Sequence, residues 1–274
     1  MNAKQCYEAG DLSGAVAAAI DEVRRHPSEI APRLLLSELF CFAGQWDRAD
    51  GQLDVIGEQD PRAMLEIALF RQLLRAEQAR QQFHAEGRLP EFLAPPSDAL
   101  RLHLEASIRL REGQAAAAAL LLEQAEAERA TVRGTCNGRP FADLRDLDDM
   151  TSSFFEVLTS TGKYYWVPID QVASIQFHPP QRPRDLLWRR VLMSVHGGPD
   201  GEVFLPVLYA GSAAEPDDAI RLGRATEWRG GEGSPTRGAG QRTFLAGDEA
   251  LTILEFKDFA ITVPESVEHA ANQG

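Results

Sequence analysis

Apolar residues in the first half of the chain recur at helical spacing, whereas those in the second half alternate with polar residues. Ala, Leu, Arg, Glu and Gln dominate residues 1–130, where apolar positions such as Met64, Leu65 and Leu69 fall on one helix face. After Thr131, Gly, Val, Phe, Tyr and Trp become frequent and the apolar runs shorten. The pattern predicts that residues 1–130 are almost entirely helical and that residues 151–263 are mostly strand.

The helical half contains an internal repeat with an offset of 34 residues. Ala9-Gly10-Asp11-Leu12 recurs as Ala43-Gly44-Gln45-Trp46, and Pro27 recurs as Pro61. A helix pair over residues 97–129 makes a third, less regular unit. This spacing is typical of a tetratricopeptide-type helix pair, in which Gly allows the turn and Pro opens the next helix. An ordinary helical bundle is the alternative.

The second half shows short strands separated by turn residues, which favours a small closed or half-closed barrel. The predicted hairpins join residues 153–158 to 163–167, 189–195 to 202–205 and 242–245 to 251–256, and residues 172–177 form a further strand. The fold class is therefore predicted as α+β: a tetratricopeptide-like helical repeat domain followed by a small, mostly-β, barrel-like domain.

Residues 131–150 are predicted to connect the two domains. Four acids crowd this stretch, but their spacing lacks the central Gly and terminal Glu of an EF-hand, so we expect a solvated, partly helical linker. The predicted boundaries are a helical domain over 1–130, this connector, and a mostly-β domain over 151–274 that ends in a polar tail after Pro264.

Composition and charge argue against several classes of partner. The net charge is −13, and residues after 140 carry 12 basic and 20 acidic side chains, which argues against nonspecific binding to nucleic acid or to anionic membranes. No run of 18 apolar residues predicts a membrane-spanning helix. Three scattered cysteines and a polar N-terminus without a signal-peptide pattern predict a reducing, cytoplasmic location.

No complete catalytic or metal-binding constellation is present, so we expect no metal, no cofactor and no enzymatic activity. His84-Ala85-Glu86 and His103-Leu104-Glu105 match half of a zinc-deaminase signature, but the required Pro-Cys-x-x-Cys is missing. An enzyme with a site built from Asp218, Arg221 and Arg242 stays open as an alternative. The adjacent Asp217 and Asp218 are better explained as a helix cap or as a salt bridge to Arg221.

Aromatic and arginine side chains accumulate in the second half. This combination is typical of protein-interface hot spots, and also of barrels that bind single-stranded nucleic acid. The negative charge of this half favours the protein interface, while burial in the core is the alternative for at least half of the aromatics. The side chains concerned are Tyr164, Tyr165, Trp166, Trp188 and Trp228, with Arg184, Arg189, Arg224 and Arg229 nearby in sequence.

Several segments in the second half, taken in order, resemble the ImpE family, also called TagJ, of bacterial type VI secretion systems. Each segment alone is weak, but their order is specific. The resemblance extends over nearly the whole chain. The segments are Tyr164-Tyr165-Trp166-Val167-Pro168, Arg184-Asp185-Leu186-Leu187-Trp188-Arg189, Gly201-Glu202-Val203-Phe204-Leu205-Pro206, the stretch from Asp217 to Trp228, and Gly240-Gln241-Arg242-Thr243-Phe244-Leu245.

The resemblance implies a non-enzymatic adaptor that associates with the type VI sheath protein and with the ClpV-type AAA+ unfoldase. The repeat suggests that an apolar groove near Leu12 and Leu35 holds a partner helix, and the surface around Trp188 and Trp228 is the alternative site. The sequence leaves the oligomeric state open. The candidate partner-binding residues are Leu12, Trp46, Arg184, Trp188, Asp218, Arg221, Arg224, Trp228 and Arg242.

Overall fold

Seven α-helices occupy the first half of the chain, as predicted. The computed structural model describes residues 1–262. The helices are α1 (Ala3–Ala9), α2 (Leu12–Arg25), α3 (Ile30–Phe42), α4 (Trp46–Gln59), α5 (Met64–Glu86), α6 (Asp98–Arg111) and α7 (Ala115–Glu128). The tetratricopeptide-like character of these helices stays a prediction.

Local side-chain and glycine chemistry sets the ends of these helices. Asn2 forms a capping box with Gln5 at the start of α1, and the Asp11 side chain accepts a hydrogen bond from the Gly14 amide at the start of α2. Gly10 and Gly44 adopt φ values of 87° and 68°, which favour glycine. The two glycines of the 34-residue repeat therefore serve the same turn, directly before α2 and α4.

Thirteen strands and one short helix, α8 (Asp218–Arg221), follow within the described residues. All pairings between the strands are antiparallel. The strands are β1 (Gly134–Cys136), β2 (Arg139–Phe141), β3 (Leu144–Asp146), β4 (Phe154–Leu158), β5 (Tyr164–Pro168), β6 (Val172–Phe177), β7 (Trp188–Val195), β8 (Asp200–Pro206), β9 (Thr226–Gly231), β10 (Ser234–Gly240), β11 (Thr243–Ala246), β12 (Glu249–Thr252) and β13 (Asp258–Ile261).

The main sheet is open, so the closed form of the predicted barrel is wrong. Its eight strands run in the order β2-β1-β13-β6-β7-β8-β4-β5, with separate sheets β12-β11-β3 and β10-β9. The loop after α5 covers the outer edge of β5: the Glu91 amide donates to the Tyr164 carbonyl at 2.8 Å, and the Trp166 amide donates to the Glu91 carbonyl at 3.1 Å. At the other end, β2 is three residues long and contains Pro140, which cannot donate to a further strand. Neither edge strand therefore closes onto the other.

The stretch predicted as a solvated, partly helical linker instead forms strands β1, β2 and β3. Its acids are held by the rest of the protein rather than by solvent: Asp146 is fully buried, and the Asp143 carboxylate pairs with Arg129. The predicted domain boundaries stay a prediction, and the predicted polar tail lies outside the described residues.

One continuous hydrophobic core joins helices α1 to α6 to the main sheet, and a smaller second cluster lies between α6 and α7. Helix α5 provides much of the junction, because Phe70 packs edge-on against Trp188 with ring centroids 5.9 Å apart, and Phe83 packs against Trp166 at 4.8 Å. Across residues 1–262, no helix combines the length and the apolar character needed to cross a bilayer.

Candidate functional site

The nine residues predicted to contact a partner do not converge on one surface. Leu12, Trp188 and Arg242 are at most 2% exposed, so they do not offer their side chains to a partner in this conformation. Arg184 is 8% exposed, and Trp46, Asp218 and Arg221 are half-buried. Arg224 and Trp228 are exposed. Leu12, Asp218, Arg221 and Arg224 lie where the second half contacts the first helices. Arg242 belongs to a buried ion cluster, and Arg184 and Trp188 line a groove. Trp46 at the start of α4 and Trp228 on strand β9 belong to none of these three places.

Asp218 and Arg224 connect the second half of the chain to its first two helices. The Asp218 carboxylate accepts hydrogen bonds from the Leu12 and Ser13 amides at 2.8 and 3.3 Å, and pairs with Arg221 at 2.8 Å. Arg224 donates to the Glu8 carbonyl at 3.0 Å and to the Tyr7 carbonyl. The predicted Asp218–Arg221 salt bridge is confirmed. These side chains, however, bind the α1–α2 turn of the same chain.

Replacing Asp218 with alanine is expected to lower the free energy of unfolding by about 1–2 kcal/mol, because the start of α2 loses its acceptor and Arg221 loses its partner. Urea denaturation measures this change. Asp98→Ala is the matched control, since Asp98 also lies in the first turn of a helix and pairs with an arginine, but at an exposed site. Equal effects of the two substitutions would contradict this role for Asp218.

A buried ion cluster crosses the boundary between α5 and the sheet. Glu156 on β4 pairs with Arg80 of α5 and with Arg242, each at 2.8 Å. Arg242 also makes two bonds to Asp146, at 2.6 and 3.0 Å. Arg80 pairs with Glu77 at 3.0 Å. All five side chains are at most 4% exposed, so the cluster fixes the helix to the sheet from within.

Burial and ion pairing shift the pKa values of the carboxyl groups in this cluster in opposite directions. Burial acts to raise the pKa of Glu156, but Arg80, His84 and Arg242 outweigh it and hold that pKa well below its usual value. Burial raises the pKa of Asp146 more than Arg242 lowers it.

The three residues of the alternative enzyme site do not converge, because Arg242 pairs inside this cluster whereas Asp218 pairs with Arg221 and the start of α2.

The two His-x-Glu pairs place their histidines against the sheet rather than in a zinc site. His84 Nε2 lies 3.3 Å from Glu156 Oε1, and His103 Nε2 lies 2.9 Å from Ser153 Oγ. The three cysteines are buried and unpaired with one another. Within residues 1–262, no group of three or more His, Cys, Asp or Glu side chains is arranged to hold a metal ion.

A groove of about 690 Å³ lies between α5, the 3₁₀ turn Pro183–Leu186, and strands β7 and β8. We call it the α5 groove. Leu65 and Leu69 line its helical wall, and Phe204 lies on the sheet side. Leu65 is 85% exposed, whereas its neighbour Met64, 60% exposed, borders a separate concavity between α4 and α5. An exposed leucine at the mouth of a groove is a candidate contact for a protein partner.

Charged side chains surround the apolar part of the α5 groove. Glu66 accepts from Arg184 at 2.8 Å and from Arg182. The Arg184 guanidinium also lies 4.8 Å from the centre of the Phe70 ring, in cation–π geometry. Its Nη1 is buried and makes no hydrogen bond to the described residues. Trp188 of β7 also lines the α5 groove, and its indole N–H donates to Glu77 at 3.1 Å.

Glu38 of α3 is buried beside the Arg184 turn. Its Oε1 atom has no hydrogen-bond partner among the described residues. Burial raises the pKa of this carboxyl from 4.5 to about 7, although Arg184 and Arg182 act to lower it. Between about pH 4.5 and pH 7 the folded chain therefore holds more protons than the unfolded one, and this residue's contribution to stability falls as the pH rises.

Replacing Glu38 with glutamine is expected to raise the free energy of unfolding at pH 8 by about 1–2 kcal/mol and to change it little at pH 5, where the wild-type carboxyl is already protonated. Urea unfolding at the two pH values measures the difference. The exposed Glu58→Gln substitution is the control and should show no such pH dependence. The same gain for Glu38→Gln at both pH values would contradict the explanation.

Fold and geometry together define a class: an α+β protein whose helices pack through a shared core on an open sheet, with a groove at their junction. The family model described as ImpE protein matches residues 138–260. The type VI secretion system accessory component TagJ of Pseudomonas aeruginosa is 34% identical over 96% of this chain and 92% of its own length. The crystal structure of protein VPA1032 from Vibrio parahaemolyticus superposes with a TM-score of 0.90 at 25% identity, covering 97% of this chain and 99% of that one.

The chain belongs to the ImpE/TagJ family, which confirms the expectation from the ordered sequence segments. The match to the Pseudomonas relative includes the helical half, and the name of that relative assigns it an accessory role in type VI secretion.

Proposed function

We propose that this chain is a non-enzymatic accessory protein of a bacterial type VI secretion system. In this proposal it acts in the cytoplasm as an adaptor that binds the sheath component, the ClpV-type unfoldase, or both. The observation that carries the proposal is the 34% identity with an accessory component over 96% of the chain, since the likeness extends through both halves rather than one shared module.

The α5 groove is the site we propose for the partner. Its helical wall presents Leu65 and Leu69 to solvent or to the groove, and the exposed side chains of Arg182 and Arg190 lie on the opposite side. Arginine side chains beside exposed leucines can combine apolar burial with a few directed polar contacts. A partner helix laid along α5 would gain about 25 cal/mol per Å² of apolar area buried, before the costs of association.

The groove predicted from the repeat is less suitable, because Leu12, Ala15 and Ala19 are fully buried between helices. A shallower concavity of about 390 Å³ does lie over α2, α3 and α4. Ile20 and Phe40 line it, but each is at least partly covered by its neighbours. Leu65, by contrast, is among the most exposed apolar side chains of the described residues.

Isothermal titration of the purified full chain with the purified sheath component, and separately with the unfoldase, tests the proposed function. We expect saturable binding to at least one of them. The affinity should weaken less than tenfold between low salt and about 0.5 M salt, because apolar burial dominates the contact. Binding to neither protein would overturn the proposal, and a larger loss would show that charge carries the interaction.

A further inference from the structure

Strands β9 and β10 form a two-stranded ribbon separate from the other sheets. Five of the six residues of β9 are exposed, and the strand pairs with β10 along one edge only. Trp228 at its centre is 42% exposed, with its ring 5.7 Å from that of Tyr209. The other edge of β9 is therefore available for pairing.

The hydrogen bonds of β10 show which backbone groups face that open edge. The Gly238 and Gly240 amides point away from β9, to Asp148 Oδ2 at 2.9 Å and to Ser212 Oγ at 2.8 Å. Because N–H and C=O directions alternate along a strand, Ala239 is the residue that bonds to Glu227. Trp228 consequently directs its own N–H and C=O outward, and so do the residues two positions away on either side.

The open edge of β9 is complementary to itself. When two copies of the strand are paired antiparallel with Trp228 opposite Trp228, Glu227 of each copy lies opposite Arg229 of the other. Thr226 then lies opposite Gly230, so every outward-facing backbone group meets another outward-facing group. A two-fold axis between the two Trp228 residues relates the copies, so each contributes the same surface, as an isologous dimer requires.

We propose that two copies of this chain associate through β9 in this register and form a four-stranded antiparallel sheet. The central contact is a pair of hydrogen bonds between the two Trp228 backbones, with a cross-strand ion pair on each side. Glu227 lies 3.9 Å from Arg229 within one chain, and Arg229 also pairs with Glu215. The Glu227 and Arg229 side chains are exposed and placed to reach a second copy. A ladder of five residues per strand is short, so the dissociation constant should be on the order of 10 µM.

Sedimentation equilibrium of the full chain and of two charge variants tests the dimer and its register. Glu227→Arg places two arginines against two arginines, and Arg229→Glu places two glutamates against two glutamates. Each variant alone should be at least tenfold weaker in self-association than the wild type. A mixture of the two should restore a 1:1 dimer, because opposite charges again face one another; this also separates the effect from loss of the Arg229–Glu215 pair.

Trp228→Pro provides a second, independent variant. It removes an outward N–H but none of the bonds between β9 and β10, so the circular dichroism spectrum should be unchanged while self-association weakens at least tenfold. A wild-type chain that stays monomeric up to about 100 µM would overturn the proposal. A dimer unaffected by these variants would place the interface elsewhere, and a mixture that stays monomeric would refute the register.

Discussion

Replacing Arg242 with methionine is expected to lower the free energy of unfolding by about 3–5 kcal/mol, the usual effect of removing one partner from a buried ion pair. Arg242 is 2% exposed and donates twice to Asp146, which is fully buried. Methionine fills much of the same volume but leaves Asp146 without its arginine. Glu156 keeps Arg80, so the effect should come mainly from the Asp146 side. Urea unfolding followed by circular dichroism measures the change.

Arg139→Met is the matched control for this prediction. Arg139 makes a single pair with Glu249 at 3.1 Å, and its side chain is 74% exposed. Exposed pairs contribute at most about 1 kcal/mol, so this variant should unfold almost as the wild type does. If Arg242→Met also cost less than about 1 kcal/mol, the cluster would not be the connection between helix and sheet inferred from its geometry.

Placing a carboxylate at Leu65 is expected to weaken partner binding about a hundredfold, or about 2.7 kcal/mol, while leaving the fold intact. Leu65→Glu would force a charge into the interface that the partner must desolvate. Because the side chain is 85% exposed in the free protein, the free energy of unfolding should change by no more than about 0.5 kcal/mol. Titration with the sheath component or the unfoldase measures the affinity.

Leu120→Glu is the control for the groove variant. Leu120 lies on α7, is 59% exposed, and does not line the α5 groove. Leu120→Glu introduces the same charge as Leu65→Glu but outside the groove, so it should leave binding unaltered. Equal weakening by the two variants would indicate a general effect of charge, and unchanged binding by Leu65→Glu would exclude the groove mouth as a contact.

The sequence was sufficient for most of the elements, because their signals are local. Helical periodicity and the paired glycines predicted the first half, and turn residues such as Gly162 predicted the hairpin between β4 and β5. The ribbon of β9 and β10 was not among the predicted hairpins, because glycines inside a strand weaken its sequence pattern. Gly238 is in fact required there for close packing, since a Cβ atom on it would lie 2.2 Å from the Tyr209 ring.

The site was predicted less well, because residue type alone does not distinguish an interface from a junction inside the chain. Asp218 and Arg224, predicted as partner contacts, bond to the α1–α2 turn of the same chain, and Arg221 pairs with Asp218. Arg242 looked catalytic or exposed but lies in the ion cluster. The open sheet and strand β3 were also missed, since both depend on contacts between residues far apart in sequence, such as Arg242 with Asp146.

Hydrogen–deuterium exchange of the full chain, with and without the bound sheath component or unfoldase, tests most directly whether the α5 groove is the partner site. We expect slower exchange in the first half of α5 and in residues 182–190, with little change in α6 and α7. Slower exchange confined to α2, α3 and α4 would place the partner in the concavity over those three helices instead. Saturating binding without slower exchange in α5 would show that the α5 groove is not the partner site.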